Sequence, residues 1–316
     1  MIYIGLLKML LVDFDFQINT FIINLQKKLM MQRMNLLIFS LFLCSLSSVY
    51  SQYKMDVNTI FACIPAEDYA SLFSNSFVKD TLFVSKETTT KTDSDVYTGK
   101  YFIGEFGTIE FFQPSQKNKF GDHLGDIAIE FKTRNRNELN KILKDNKDNS
   151  LIAENTYDIS TEDEKSLWYT ALKNKTSTTN LELSILEYSS DYLQQLGFSN
   201  EEIDSEITPE KFNAIVYQNH LYPKLFKSFK SITIEVSQEG ERELRQFAHQ
   251  FQFKYSRKFI NCNEFKIYYK VSKNAKQTQL KNIEINLTKS LLNRILTISE
   301  NISLSISNTT ANILFK

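Results

Sequence analysis

Hydrophobic positions in this chain fall into short blocks whose period alternates between that of a strand and that of a helix, and the alternation repeats. Val57 to Ile64 (VNTIFACI) is a short apolar run of the kind a buried strand needs. Pro65 opens a helix, where its missing N–H leaves no bond unmade. Tyr69, Leu72, Phe73 and Phe77 then fall on one helical face. Thr81 to Thr92 is rich in β-branched residues and reads as a strand. Tyr97 to Glu105 and Thr108 to Gln113 are two more, joined around Phe106-Gly107 and closed by Pro114. The order is β-α-β-β-β.

The pattern then restarts. Ile127, Ile129 and Phe131 alternate, and Asn137 to Leu143 forms a short helix with Leu139, Ile142 and Leu143 on one side. Thr161-x-x-Glu164 is a capping-box signature for a further helix. Leu167 to Leu172 and Leu181 to Tyr188 are extended, with Leu181, Leu183, Ile185 and Glu187 sharing one face, while the middle strand of this unit has no clear pattern. Residues 189–230 read as helical, with a capping box at Ser199-x-x-Glu202 and a helix start at Thr208-Pro209. A third restart begins with alternating Ile232, Ile234 and Val236. Leu244, Phe247, Ala248 and Phe251 then share a helical face, and strands follow at Phe253–Phe259, Glu264–Val271 and Lys281–Leu287. Ile302, Leu304 and Ile306 alternate up to a turn at Asn308, and Ala311 to Phe315 returns. The reading is α+β: paired β-α-β-β-β modules over 52–190, a helical connection over 191–230, and a third, related module over 231–316.

Composition narrows the function classes. The chain has 316 residues, with Lys+Arg and Asp+Glu both at 37, so it lacks the basic excess of a nucleic-acid binder. Hydrophobic residues make up 42% and aromatics 13%, enough for a packed core. Residues 1–51 stand apart. Arg33 precedes an uncharged stretch, MNLLIFSLFLCSLSSVYSQ, in which Leu36 to Leu46 is apolar and Val49 and Ser51 place small side chains before a cut. That is the layout of a signal peptide at 34–51, which makes the mature chain secreted or periplasmic with no stable membrane span. The competing reading is a retained anchor, since Met34 to Tyr53 carries no charge. Cys63 and Cys262 remain in the mature chain, and Cys63 lies in an apolar run that suits a free, buried thiol.

The repeated β-α-β-β-β order, the YTGKYFIGEFGTIEFF hairpin and the LELSILEYSSDYL strand together resemble the vicinal-oxygen-chelate (glyoxalase-like) superfamily, and more closely a family of secreted, uncharacterised bacterial proteins of that fold. Such a module is a curled half-barrel, and two of them pair around a cavity. The resemblance implies a small-molecule ligand there and, in metal-binding members, one ligand on the first strand and a Glu on the fourth strand of each module. Glu110 and Glu187 are the matching carboxylates. The first strand reads Asn58-Thr59 where a His is expected, and the second module begins with His123 and Asp126. Glu110, Glu187, Asp126, Thr59 and His123 are therefore the ligand-binding candidates, with a divalent ion on Glu110 and Glu187 as the implied cofactor. By its own strand, TIEFF, Glu110 is either a ligand-facing group or a solvent-facing one, because an unpaired buried carboxylate is costly. Three functions remain open: a binding protein that kept the fold without the full metal set, a divergent metal-dependent lyase, isomerase or dioxygenase, and a structural or interaction module without a ligand. No Ser-hydrolase elbow, phosphate-binding loop or zinc-spaced Cys pair is present.

The leader reading predicts a mature N-terminus at Gln52. N-terminal sequencing of protein recovered outside the cytoplasm checks it, and intact material starting at Met1 or Met34 contradicts it.

Overall fold

The fold is described from a computed structural model, which covers Lys28, 30–34, 53–117, 119–146, 150–159, 165–175, 179–216 and 224–316. The chain forms two compact units, Met1–Ser51 and Gln52–Lys316. In the first, the described residues are helical and exposed. The expected leader core from Leu36 to Leu46, the cut after Ser51 and the Thr161 capping box lie outside the described residues. No described helix is long and apolar enough to cross a membrane.

The second unit is α+β and built of glyoxalase-like half-barrels. The first module comprises β1 (Met55–Cys63), α1 (Ala66–Ser74), β2 (Val84–Lys91), β3 (Val96–Gly104) and β4 (Gly107–Phe112). The second comprises β5 (Ile127–Thr133), α2 (Glu138–Asp145), β6 (Leu151–Asp158), β7 (Ser166–Asn174) and β8 (Leu181–Tyr188). They join in one eight-stranded sheet of order β2-β3-β4-β1-β5-β8-β7-β6. In each module the first strand pairs parallel with the fourth, β1 with β4 and β5 with β8. The two first strands meet antiparallel at the centre.

Three short helices follow: α3 (Ser190–Gln195), α4 (Asn200–Ile203) and α5 (Pro209–Val216). The Ser199 hydroxyl accepts from the Glu202 amide while the Glu202 carboxylate accepts from the Ser199 amide, completing the expected capping box. The helices bury Leu193, Phe198, Ile203 and Ile207 in a small core of their own. The third module then repeats the order: β9 (Phe226–Val236), α6 (Gln238–Gln250), β10 (Lys254–Tyr255), β11 (Phe259–Cys262) and β12 (Phe265–Val271). β9 pairs parallel with β12 and antiparallel with β13 (Gln279–Thr297), which takes the place β5 has in the first sheet. β14 (Ile302–Phe315) closes the sheet, whose order is β10-β11-β12-β9-β13-β14.

Apolar residues of alternate parity carry the packing. Ile109, Phe111, Ile129 and Phe131 are fully buried on the face that the helices cover. Phe111 meets Phe73 of α1 and Phe315 of β14, and Phe131 meets Phe247 of α6 and Phe253 just beyond it. All three modules therefore share one core. The β3–β4 turn docks on β9 through Glu105 and Phe106 amides donating to the Phe226 and Lys227 carbonyls. Gly107 there has φ +134°, and a Cβ would lie 2.6 Å from the Phe229 ring, so the turn requires glycine. At the far end the β13–β14 connection clasps α1: Ser299 Oγ and Asn301 Nδ2 donate to the buried Asp68 carboxylate at 2.6 and 3.1 Å.

Four local expectations change. The strand expected from Thr81 starts later, because Phe77–Leu82 forms a π-helical turn that buries both Val78 and Leu82. The helical connection expected to 230 ends sooner, because strand β9 already begins at Phe226, while β6, expected to lack a clear pattern, is a polar edge strand held by its ladder to β7. The strand expected over Phe253–Phe259 divides into β10 and β11. β14 runs through the turn expected at Asn308, which sits at a register irregularity with φ 51° instead of reversing the chain. Cys63 and Cys262 are buried and unpaired.

Replacement of Phe111 by Ala is expected to cost ~3–5 kcal/mol, the range for a large aromatic removed from a packed core. Replacement of Leu292, 89% exposed on β13, by Ala is expected to cost no more than ~0.5 kcal/mol. Urea denaturation of both variants checks the contrast.

Candidate functional site

The face of the eight-stranded sheet opposite the α1 and α2 helices is concave and lines a cavity of about 1090 Å³. Strand parity decides what points into it. Because Ile109 and Phe111 are buried under helix α1, Glu110 faces the cavity; because Ile129 and Phe131 are buried, Glu130 and Lys132 face it; because Leu181, Leu183 and Ile185 are buried, Glu182 and Ser184 face it. Helix α5 contributes Phe212 and Asn213 to the wall, and the third module contributes Ser228, Phe229 and Asn263.

A register shift in β1 between Val57 and Thr59 places Asn58 at a bulge. Its Nδ2 donates to Glu130 Oε1 at 3.0 Å and to Thr59 Oγ1 at 3.2 Å. Thr59 is the cross-strand partner of Glu130 on one side and of Thr108 on the other. Glu110 lies between Phe61 of β1 and Tyr101 of β3. No hydrogen bond or ion pair from a described residue engages its carboxyl group. Glu182 sits beside Lys173, which also pairs with Glu154 at 2.6 Å. The Lys132 ammonium lies 3.6 Å from the centroid of the Phe212 ring.

Burial dominates the titration of these groups. It pushes the Glu110 carboxyl up to about 8, with a further contribution from the Glu130 charge. It pushes Glu130 to about 7, the Asn58 hydrogen bond opposing and the Glu182 charge adding. Glu182 is raised by burial against the pull of Lys173. Burial lowers Lys132 to about 8, opposed by Asp56. Tyr101 is raised to about 12 by burial and then by Glu110. Glu110 thus keeps its proton to neutral pH.

The expected residues divide. Glu110 and Thr59 line the cavity. Glu187 does not: it shares parity with the buried Leu181, Leu183 and Ile185, and its carboxylate accepts from the Asn137 and Leu139 amides at the start of α2, at 2.9 and 3.2 Å. It caps a helix on the other face, in a position where Asn137 itself makes no side-chain cap. Asp126 is also spent on structure. Its buried carboxylate accepts from the Gly121 and His123 amides, at 2.7 and 3.1 Å, and closes the loop before β5. His123 Nδ1 lies 3.3 Å from the same carboxylate, with the ring half-exposed in that loop and away from the cavity wall. Glu130, Glu182 and Lys132, which do face the cavity, were not among the expected residues, although the parity that singles out Glu110 singles them out as well.

This separation bears on the implied metal. A divalent ion held by Glu110 and Glu187 is excluded by their lying on opposite faces of the sheet. Among the described residues, no three His, Cys, Asp or Glu side chains converge as a ligand set. The described residues do not fit a bound divalent ion.

The chain belongs to the family described as Family of unknown function (DUF5829), which it matches over residues 57–315. No curated protein matches it. Among solved structures it is similar to a hypothetical protein from Staphylococcus aureus, with a TM-score of 0.46 at 9% identity over 77% of this chain and 95% of that one. It is similar to a xylose isomerase-like TIM barrel/4-hydroxyphenylpyruvate dioxygenase fusion protein, with a TM-score of 0.41 at 10% identity over 73% of this chain and 36% of that one. It is also similar to an extradiol ring-cleaving dioxygenase from B. fuscum, with a TM-score of 0.34 at 7% identity over 70% of this chain and 55% of that one. The chain thus spans about a third of the fusion protein and about half of the ring-cleaving enzyme.

The raised carboxyl of Glu110 sets a pH dependence. Between about 4.5 and 8 the unfolded chain has lost a proton that the folded chain keeps. Stability therefore falls as pH rises through that window, by up to ~1.4 kcal/mol per pH unit, and levels off above it. Glu110→Gln should remove this contribution. From pH 5 to pH 8 the stability of the wild type relative to Glu110→Gln, measured by urea denaturation, is expected to fall by at least ~1 kcal/mol. A difference that stays constant with pH contradicts the burial of this carboxyl.

Proposed function

For this member of the DUF5829 family we propose a binding function: the protein takes a small molecule into the concavity of its paired modules and acts outside the cytoplasm. The observation that carries the reading is the cavity of about 1090 Å³ with the unpartnered Glu110 carboxyl in its wall. Close-packed interiors leave few voids larger than a water molecule, and a concave site with convergent polar groups on a mainly rigid sheet is the usual form of a ligand pocket. A purely structural module has no use for such a space. A metal-dependent reaction asks for a ligand set that the described residues of the cavity wall do not bring together. Export is supported by the apolar Leu36–Leu46 run with small residues at Val49 and Ser51.

Ala128 faces the cavity between Phe61 on β1 and Glu182 on β8, so enlarging it fills the site without changing its charge. The test is thermal melting against a panel of cationic, neutral and anionic small molecules, with wild type, Ala128→Trp and the milder Ala128→Leu. A ligand at a hundredfold excess over its dissociation constant stabilises by ~2.7 kcal/mol, about 5–10 °C for a domain of this size. At least one panel member is expected to shift the wild type by that amount and the filled variants by less. A panel that shifts nothing, or shifts all three proteins alike, overturns the binding reading.

A further inference from the structure

Resting on the reading of the concavity as a ligand site, we infer that its ligand is an organic cation, an ammonium carried on an apolar body, with Glu110 as its counter-ion. The strands of the first sheet turn four carboxylates into the cavity: Asp56, Glu110, Glu130 and Glu182. Three are answered within the protein. Asp56 takes a bidentate pair from Arg134 at 2.6 and 2.7 Å, Glu130 takes the Asn58 amide, and Glu182 has Lys173. Among the described residues Glu110 has no such partner. An acceptor left unmatched in poorly solvated surroundings costs free energy, and a cation delivered from solution is the group that removes that cost.

The cations already at the wall do not serve Glu110. Arg134 is committed to Asp56 and Glu206. Lys132 is turned to the Phe212 ring. Lys86 and Lys227 are exposed at the rim. Of the described charged residues lining the cavity, eight are acidic and four basic, which sets the sign of the field a ligand meets. An anionic ligand would bring a like charge to a wall in which acids outnumber bases.

Rings surround the same carboxyl. Phe61 and Tyr101 are its cross-strand neighbours. Phe61 and Phe112 have centroids 4.9 Å apart, Phe112 and Tyr97 5.8 Å, and Phe61 and Phe120 6.1 Å. Ring faces attract a desolvated cation and cover the apolar body that carries it. A neutral polyol would use the hydroxyls of the wall but would leave the aromatic surround and the unmatched acid without a role. The ionisable groups that face Glu110 are Tyr97 and Tyr101 on β3, Glu130 on β5 and Tyr169 on β7. None of these is a cation, so an entering ammonium draws Glu110 into its ionised form and releases its proton at any pH below about 8.

The experiment is calorimetric titration of wild type and Glu110→Gln with three probes of matched shape: benzylamine, benzyl alcohol and benzoate. At pH 6.5, in two buffers of different ionisation enthalpy, benzylamine is expected to bind the wild type at least tenfold more tightly than benzyl alcohol and to release protons. Benzoate is expected to bind more weakly than either. In Glu110→Gln the preference for the amine and the excess proton release should be lost, with benzyl alcohol retained within about twofold. Retention of benzyl alcohol also shows that the variant is folded. If benzyl alcohol or benzoate binds the wild type as tightly as benzylamine, and Ala128→Trp blocks it, the cation inference fails while the binding reading stands. If benzylamine binds with its preference intact in Glu110→Gln, the counter-ion role fails. If none of the three binds at millimolar concentration, the cation inference fails, and the broader melting panel decides the binding reading separately.

Discussion

The antiparallel pairing of β1 with β5 is the contact on which the rest of the molecule depends. Each β-α-β-β-β module on its own is a curled four-stranded sheet, and its first strand is one of its two edges. Joining the two first strands covers those inner edges, leaving β2 and β6 outermost, and merges two shallow curves into one deep one. It also aligns the strands whose alternate residues point inward, so that Thr59, Glu110, Glu130 and Glu182 arise on adjacent strands of a single wall. The third module repeats the arrangement with β9 and β13. There β13 is followed by an antiparallel return, and the resulting long ribbon reaches α1 of the first module, where Asp68 accepts from Ser299 and Asn301. The repeated pairing therefore builds the cavity once and a brace for it the second time.

Most of the fold is legible in the sequence because its elements have one buried face and one that is not, and period then reports structure. Ile127, Ile129 and Phe131 alternate on β5, and Leu244, Phe247 and Ala248 on α6 with Phe251 at its C-cap repeat helically; all are buried as their spacing requires. Legibility fails where that asymmetry is missing. β6 is an edge strand whose LIAENTYD sequence shows no buried parity. The turn from Phe77 to Leu82 buries Val78 and Leu82, an i, i+4 spacing that strand and α-helical templates fit as well, so period alone does not mark a π-helical turn. At Asn308 the polar run marks a register irregularity in a continuous strand, because a residue that tolerates positive φ serves a bulge as readily as a reversal.

The site follows the same logic with a sharper lesson. Glu110 was legible because its neighbours Ile109 and Phe111 are apolar and it sits between them in parity. Glu187 was drawn in by its place on the last strand of the second module, against its own parity with Leu181, Leu183 and Ile185. Parity wins, since a slip of one residue would move every side chain of β8 to the wrong face. What no pattern along the chain reveals is the use of Glu187 as a cap for α2 and of Asp126 as a tie for the loop before β5. Both are contacts between residues distant in sequence or folded back on a turn, and the chemistry of a carboxylate alone does not distinguish a ligand from a cap.

Retaining these inward carboxyl groups costs stability, which bears on why they are there. An apolar side chain at position 110 would extend the Phe61, Phe112 and Tyr97 surface and bury without an ionisation penalty. Glu130 shows how a carboxylate that serves the fold is treated: the β1 bulge aims Asn58 at it, and Thr59 lies across from it. Glu187 and Asp126 are treated likewise, each matched by two backbone amides. The fold therefore supplies partners wherever a carboxylate carries structural duty. Glu110 faces a water-accessible space, is surrounded by rings, and is left without a donor among the described residues. That contrast, drawn within one protein and among residues of the same chemistry, is what the proposed ligand role of Glu110 rests on.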